Sequence, residues 1–211
     1  MKKYRNEIII LILEILVACL TGCATTRPIE TTAPAVPFNS TIELGSEATL
    51  QLPEPKLVSK PVRAVQTLTL TRDGKTRSFE VILENQNNQM TLAVVTPFWP
   101  TPLKAQYDGQ SLTIDPHLKD NIPFDIRFIL ADIVLVFADG TDLKHWLSTN
   151  VELSDGASTR LLTMIGRTNA MHAKVVEIHY DSYFHWQGKI QYKNHLRNYE
   201  LDIENVKVEW L

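Results

Sequence analysis

The sequence predicts a mainly β (α+β) fold in which an antiparallel sheet packs against one or two helices. From Ala48 onward, apolar and polar residues alternate with the period of two that is typical of half-buried strands. Short connections separate these segments, which favours an antiparallel meander. One stretch, Pro123–Phe137, is instead apolar on nearly every side and predicts a buried helix.

The first half of the predicted sheet consists of alternating segments joined by turns. Gln66–Leu70 alternates with threonines and runs into Asp73-Gly74, a strong hairpin signal. Further alternating segments follow at Phe79–Leu83, Met90–Val94 and Leu103–Tyr107. Asp108-Gly109 then predicts a second turn, which leads into a strand at Ser111–Ile114.

The predicted helix Pro123–Phe137 begins with a proline, which suits a first helical turn. Beyond that turn only Arg127 and Asp132 interrupt its apolar surface, so we expect it to pack against the concave face of the sheet. Its β-branched end, Ile133–Phe137, leaves a strand as the alternative. A short second helix is expected at Asp142–Leu147. Alternation then predicts five more strands: Arg160–Ile165, Lys174–Tyr180, Lys189–Tyr192, Tyr199–Ile203 and Val206–Trp210.

Residues 1–22 are predicted to be a lipoprotein signal peptide. A basic start is followed by the apolar run Ile8–Leu20, which is too short for a hydrocarbon core that needs roughly 20 residues. The run ends in Leu20-Thr21-Gly22-Cys23, which looks like a lipobox with Cys23 as the acylated residue. Cys19 is a rival attachment site, and Glu14 departs from the usual apolar pattern. An uncleaved signal anchor or an ordinary N-terminal helix is the alternative.

Acylation of Cys23 would attach this protein to a membrane, since several acyl chains together anchor a protein stably in a bilayer. Ala24 stands where aspartate marks inner-membrane retention in Gram-negative lipoproteins. By that resemblance we expect lipid anchoring at the periplasmic face of the outer membrane. Residues 23–46 are rich in Thr, Pro and Ala and predict a flexible tether, followed by one domain over residues 47–211.

Composition and motif content exclude several classes of function. Without residues 1–22 the chain keeps 18 of its 21 basic and 22 of its 24 acidic residues, and this acidic balance argues against nucleic-acid binding. Both cysteines lie within the first 23 residues, so no disulfide framework is expected. Nucleophile motifs and phosphate-binding glycine loops are missing, so we expect no enzyme and no cofactor. A periplasmic hydrolase with scattered catalytic residues is the remaining enzymatic alternative.

The six histidines show no pair at the helical spacing of a zinc site. The nearest cluster is His179, Asp181 and His185, in which strand geometry would place the first two side chains on one face. Surface histidines explain this pattern better than a metal site does. No metal is therefore expected.

Several segments carry a resemblance to a known family: Gln66–Leu70 after Leu52-Pro53, Tyr107-Asp108-Gly109, Ile129–Leu135, Arg160-Leu161-Leu162, Ile178-His179-Tyr180 and Tyr199–Ile203. The chain resembles the outer-membrane lipoproteins encoded in aryl-polyene pigment gene clusters of Gram-negative bacteria. That family is similar to the lipoprotein carriers LolA and LolB. The resemblance implies a strongly curved antiparallel half-barrel with one or two covering helices over an apolar cavity.

A hollow half-barrel would bind an apolar or lipidated ligand, for which an aryl-polyene lipid is the cargo that the resemblance implies. The carrier would assist delivery of this cargo to the outer membrane, with a periplasmic carrier protein as a further partner. The alternative is a scaffold or assembly lipoprotein that has a filled interior and acts through protein–protein contacts.

Two groups of residues are candidates for ligand or membrane contact. Phe98 and Trp99 lie among three prolines and would form a membrane or cargo loop, as a protruding apolar loop does in LolB. The alternative is that both rings fold inward and plug the sheet. The candidates for the cavity and its lid, which could equally be plain core, are Leu130, Ile133, Leu135, Phe137 and Trp146. Three tyrosines could face the cargo or simply the sheet: Tyr180, Tyr192 and Tyr199.

Overall fold

The computed structural model describes residues 38–45, 47–55, 60–95, 103–115, 125–166 and 172–211. In these residues the chain forms a ten-stranded antiparallel sheet, a separate two-stranded sheet and two helices. The elements in chain order are β1 (Thr41–Gly45), β2 (Ala48–Gln51), β3 (Val62–Arg72), β4 (Lys75–Gln86), β5 (Gln89–Val95), β6 (Leu103–Tyr107), β7 (Leu112–Ile114), α1 (Ile126–Phe137), α2 (Gly140–Trp146), β8 (Val151–Asp155), β9 (Thr159–Ile165), β10 (His172–Tyr180), β11 (Lys189–Asn194) and β12 (Tyr199–Trp210).

The large sheet consists of two meanders joined by the pairing of β3 with β12. Its strand order is β7-β6-β5-β4-β3-β12-β11-β10-β9-β8, so the last strand of the chain lies at the centre. The sheet is curved and open, and among the described strands β7 and β8 are its two edges. The chain passes from one edge to the other through α1 and α2. The predicted antiparallel sheet with two covering helices is confirmed.

Turn chemistry sets the register of the first hairpins. Asp73 and Gly74 have φ angles of 51° and 70°, which suits the two-residue turn whose twist matches the flanking strands. Asn87 and Asn88, with φ angles of 53° and 56°, turn β4 into β5 in the same way. The alternate residues of these strands then face one buried side, as predicted.

The apolar stretch in the middle of the chain is a helix and not a strand. Asp125 caps α1 by accepting a hydrogen bond from the Arg127 backbone N–H at 3.0 Å, and nine of the 12 helical residues are buried. Packing on all sides outweighs the modest helix propensity of its valines and isoleucines. Asp139 caps α2, so this helix begins at Gly140, two residues before the predicted start. In the described residues no helix has the length and apolar character needed to cross a bilayer.

The predicted tether over residues 23–46 extends too far. Its last residues form β1, in which Ile42 and Leu44 are buried in the core. The hairpin of β1 and β2 also packs against the turn between β11 and β12, where Arg197 donates a hydrogen bond to the Glu43 carbonyl. The sequence alternates apolar and polar residues here too, and burial of the apolar ones brings this segment into the domain. Residues 23–37 lie outside the described residues.

Candidate functional site

A hollow of about 1220 Å³ lies at the C-terminal end of α1. Its wall is formed by the junction of α1 with α2, the hairpin between β8 and β9, the turn between β4 and β5, and the end of β12. Most of these parts are turns, so their backbones approach the hollow from different directions. The site is therefore an opening at one end of the sheet and not a channel along the helix.

A second hollow of about 670 Å³ adjoins the first. It lies between the loop of residues 181–188 and β12, and four residues line both hollows: Phe137, Tyr183, His185 and Trp210. Trp186 stands at the boundary, because it stacks on Phe137 at 4.1 Å and meets Trp210 edge-on at 6.1 Å between ring centroids. Aromatic side chains thus lie between two adjoining compartments.

The two compartments differ in chemistry. The larger one is lined by the amides of Asn85–Asn88 and by the carboxylates of Asp139 and Asp142. The smaller one is lined by Phe184, Trp186, Val206, Val208 and Trp210, together with a few polar residues. A ligand with a polar end and an apolar end would match both.

Arg160 is a buried residue in the lining of the larger hollow. Its guanidinium is 1 % exposed and donates two hydrogen bonds of 2.9 Å to the Asp155 carboxylate. A third goes to the Leu135 carbonyl at 2.6 Å, and Tyr180 donates to the Val136 carbonyl at 2.8 Å. The Leu135 and Val136 carbonyls in the last turn of α1 are thereby satisfied, and a positive charge lies at the negative end of the helix.

His185 belongs to the same corner of the site. Its ring stacks on Tyr180 with 3.7 Å between the centroids. Burial, followed by the nearby Arg160 charge, lowers the pKa of His185 below its usual value. The imidazole is therefore neutral near pH 7 and behaves as an aromatic wall of both hollows.

Exposed apolar side chains lie in the lining of the two hollows and directly after β12. Tyr183 and Phe184 in the loop of residues 181–188 are 73 % and 65 % exposed. Val206, Trp210 and Leu211 on and after β12 are more than half exposed as well. Single apolar residues on a surface need no explanation, but a group beside a hollow is typical of a ligand or membrane contact. These five residues are called the rim below.

The five residues predicted to line the cavity or its lid lie in different environments in the structure. Phe137 lines both hollows. Leu130, Ile133 and Leu135 are buried in the core and line neither hollow, and Trp146 is half-buried against the core. The predicted lipid-attachment residue Cys23 and the predicted loop residues Phe98 and Trp99 lie outside the described residues.

Two of the candidate tyrosines bind the middle of α1 to the sheet. Tyr192 donates to Asp132 Oδ1 at 2.5 Å, and Tyr199 donates to Asp132 Oδ2 at 2.6 Å. Burial raises the pKa of Asp132 to about 6, although both tyrosine hydrogen bonds pull it back toward the usual value. The network clamps the helix and does not line either hollow.

The nearest histidine cluster in the sequence is His179, Asp181 and His185, and no group of three or more potential metal ligands is found in the described residues. His179 lies 3.3 Å from a carboxylate oxygen of Glu177, whereas His185 faces Tyr180. The two imidazoles therefore have different neighbours.

Sequence reasoning did not single out Asn85, Arg160, Trp210 or the rim. Asn85 carried a signal, since it ends the apolar row of Val81 and Leu83 on β4. The aromatic run of residues 183–186 between two predicted strands carried one too, of the same kind that drew attention to Phe98 and Trp99.

The family model described as "Protein of unknown function (DUF3261)" matches residues 63–207. The chain belongs to the DUF3261 family. The matched residues run from the start of β3 into the second half of β12, and so include all or most of every strand of the large sheet and both helices. No curated protein matches this DUF3261 protein.

Solved structures with a similar chain trace are distant in sequence. A LolA superfamily protein from Nitrosomonas europaea has 7 % identity and a TM-score of 0.41, with 75 % of this chain and 90 % of that chain covered. A lipoprotein-sorting protein domain of the outer membrane from Vibrio parahaemolyticus has 7 % identity and a TM-score of 0.31, covering 72 % and 85 %. A DUF1329 family protein from Desulfovibrio piger has 10 % identity and a TM-score of 0.32, covering 72 % and 86 %.

Proposed function

We propose that this DUF3261 protein is a carrier without enzymatic activity that binds an apolar or lipidated ligand in the two adjoining hollows. The observation that carries the proposal is the pair of adjoining hollows, about 1220 and 670 Å³ in volume, with shared aromatic lining residues and an apolar rim. Ligand pockets are typically about 300–1,000 Å³ and mostly apolar, with a few placed polar groups. A chain-like ligand that extends from one compartment into the other fits this arrangement.

The energetics of such binding follow from apolar burial. Each Å² of apolar surface removed from water contributes about 25 cal/mol, so an acyl chain that buries about 200 Å² gains about 5 kcal/mol. Trp186, Trp210 and Phe137 supply rigid aromatic surface for this contact. Release into a membrane recovers a similar energy, and a carrier of this kind therefore needs no cofactor for the final transfer.

The finer features of the proposal concern location and cargo. An acyl anchor at Cys23 would hold the protein at the periplasmic face of the outer membrane, as the pattern of residues 1–23 supports. There it would assist delivery of its ligand to the outer membrane, after receiving it from a periplasmic carrier protein. An aryl-polyene lipid is the cargo that we propose to test first.

The experiment is a titration of residues 24–211, which include every described element, with the fluorescent hydrocarbon diphenylhexatriene. We expect saturable binding that Ala157→Trp weakens several-fold, because this exposed residue lines the larger hollow and a tryptophan would occupy part of it. Ser158→Trp is the matched control, since it lies in the same turn but does not line either hollow.

A well-folded protein that binds no probe would contradict the carrier proposal. The rim would then be explained by the second candidate, a scaffold lipoprotein that docks a partner protein through exposed Tyr183 and Phe184.

A further inference from the structure

The exposed side chains of the rim form one patch, although they come from two separate parts of the chain. Tyr183 and Phe184 meet edge-on, with 5.7 Å between their ring centroids. In the same loop, Trp186 contacts Trp210 of β12 at 6.1 Å. Val206 has no partner in β3, because the register of β12 shifts at this residue, and its side chain is exposed. The loop and the end of β12 therefore present their apolar side chains together.

The size and composition of the rim fit a lipid surface better than a stable protein partner. Tyr183, Phe184 and Trp210 are 73 %, 65 % and 54 % exposed, which corresponds to roughly 400 Å² of aromatic surface. A stable protein interface covers about 800 Å² on each partner. Tyrosine and tryptophan are also the residues that concentrate at the boundary between head groups and acyl chains, since each has an apolar ring and a polar group.

The charged residues of β12 beside the rim have partners of opposite sign. Lys207 Nζ lies 2.5 Å from a carboxylate oxygen of Glu209, and Lys189 Nζ of β11 lies 3.6 Å from one of Glu204. Neighbouring charges thus balance one another. A zwitterionic lipid surface would meet little net charge here, so burial of apolar surface is the force that would drive contact.

The position of Phe38 shows where the predicted tether joins the domain. Phe38 is the first described residue and packs on Tyr107 with 5.2 Å between ring centroids. The Tyr107 hydroxyl donates to the Pro53 carbonyl at 3.0 Å, two residues before Pro55, which lines the larger hollow. In the sheet, Tyr107 lies opposite Met90, next to the turn between β4 and β5. The chain therefore enters the domain at the end of the sheet that carries the hollows.

The rim lies at this same end of the sheet. The Leu211 backbone N–H donates to the Pro61 carbonyl at 3.0 Å, and both Pro61 and Pro55 line the larger hollow. The opposite end is different, because the turn between β3 and β4 there is exposed and carries Arg72, Asp73 and Lys75. Along β4 the two ends are roughly 35 Å apart. One end of the domain is thus apolar and close to the start of the described chain, and the other is charged.

The length of the segment before Phe38 limits how far an anchored domain can move from the membrane. Residues 24–37 number 14 and span at most about 50 Å when fully extended. A lipid attached at Cys23 would hold the rim within that reach of the bilayer. Because the segment joins the domain at the rim end, the rim can meet the bilayer without the segment having to pass along the sheet. The charged end would require that passage.

We propose that the rim is a docking surface for the lipid bilayer to which the protein is tethered. Docking brings residues that line both hollows, Tyr183 and Trp210, into contact with lipid, so a ligand can pass between hollow and membrane without crossing water. This inference goes beyond the proposed function, since the hollows can bind a ligand in solution whether or not the rim touches lipid. It takes from that function only the anchor at Cys23.

The test measures which end of the domain lies in the bilayer. Residues 24–211 contain the whole described core and no cysteine, so one introduced cysteine carries a nitrobenzoxadiazole label at one position. An N-terminal hexahistidine tag replaces the acyl anchor and holds the protein on phosphatidylcholine vesicles that contain a nickel-chelating lipid. The label is placed at Gln187→Cys, which keeps all five rim side chains, or at Lys75→Cys in the charged turn.

Lipids with a doxyl group near the head group quench a label that enters the bilayer. We expect quenching at Gln187→Cys to be about threefold stronger than at Lys75→Cys, because an interfacial apolar surface enters about 5–10 Å into the boundary between head groups and acyl chains. Adding Tyr183→Ser and Phe184→Ser to Gln187→Cys should lower its quenching to the level of Lys75→Cys. Val95→Ser is the matched control, since Val95 is exposed but lies outside the rim, and it should leave the quenching unchanged.

The outcomes separate docking from the carrier. Equal quenching at the two labelled positions, or none at Gln187→Cys, would overturn docking of the rim on lipid, and a partner protein would then be the occupant to test. This comparison needs no rim substitution, so it stands even if the double serine variant does not fold. Binding of diphenylhexatriene in the absence of vesicles tests the carrier alone. Quenching without hydrocarbon binding would refute the carrier and leave the docking surface in place.

Discussion

Arg160 on β9 donates two parallel hydrogen bonds of 2.9 Å to Asp155, the last residue of β8. The guanidinium is almost fully buried, whereas the carboxylate is 24 % exposed. Through its third hydrogen bond, to the Leu135 carbonyl, this pair joins one edge of the sheet to the end of α1. Arg160 therefore links two parts of the lining of the larger hollow, the β8–β9 hairpin and the C-terminal end of α1.

Asp155→Ala should destabilise the protein strongly, because it leaves the buried Arg160 charge without its carboxylate. Loss of one partner of a buried pair costs about 3–5 kcal/mol, and urea unfolding would measure it. Arg63→Ala is the control, since its pair with Glu84 is half exposed on the arginine side and contributes at most about 1 kcal/mol. A loss of unfolding free energy in Asp155→Ala no larger than that in Arg63→Ala would show that the buried pair of Arg160 and Asp155 contributes no more to stability than an exposed pair does.

Asp132 should make the stability depend on pH. Its folded pKa of about 6 lies above the usual value of 3.8, so its contribution to stability is present below about pH 4 and is lost as the pH rises through 6. Asp132→Asn removes this titration. The stability of the variant relative to wild type should therefore increase by about 2 kcal/mol between pH 4 and pH 7.

Urea unfolding of both proteins at the two pH values measures this difference, and the shared titrations of other carboxylates cancel in it. A relative stability of Asp132→Asn that does not change with pH would mean that the carboxyl of Asp132 titrates normally.

The rim should contribute to membrane contact and little to stability. Tyr183→Ser combined with Phe184→Ser removes two exposed rings, so the free energy of unfolding should change by less than about 0.5 kcal/mol. Binding of residues 24–211 to phosphatidylcholine vesicles in a flotation assay should fall several-fold. Val95→Ser removes another exposed apolar residue, which lines neither hollow, and should bind vesicles as wild type does.

Gly45 should resist substitution, because a Cβ there would overlap the Leu196 side chain. Overpacking of this kind costs about 1–3 kcal/mol, so Gly45→Ala should lower the midpoint of urea unfolding. Leu196→Ala should restore part of that loss in the double variant, as a double-mutant cycle would reveal. Strict additivity would mean that the β1–β2 hairpin does not pack against the β11–β12 turn.

Local patterns were sufficient for most of the secondary structure. The hairpin at Asp73-Gly74 depends on the φ angles that these two residues adopt readily, and the strands follow from alternation with a period of two. Local pattern did not decide between helix and strand for Ile133–Phe137, since a short apolar run is compatible with either. The choice was resolved by contacts with distant strands, through Arg160 and Tyr180.

The candidate site was the least predictable part. Leu130, Ile133 and Leu135 were reasonable cavity candidates because they are apolar and helical, but apolar residues on every side of a helix are normally core. Phe137 alone of the five candidates lines the hollows, because it stands where α1 ends and the chain turns. The position of a helix end relative to a sheet edge does not follow from periodicity.

The amino-acid sequence by itself determined the class of fold, the first turns of the sheet and the buried helix, since each depends on residues close together in the chain. Tertiary structure alone decided that β12 pairs with β3, which brings Trp210 onto the same face as Asn85. It also decided that the Asn85 amide is buried without an acceptor in the described residues. Both facts depend on partners many residues apart, and a side chain's hydrogen bonds are set by which distant groups surround it and not by its own type.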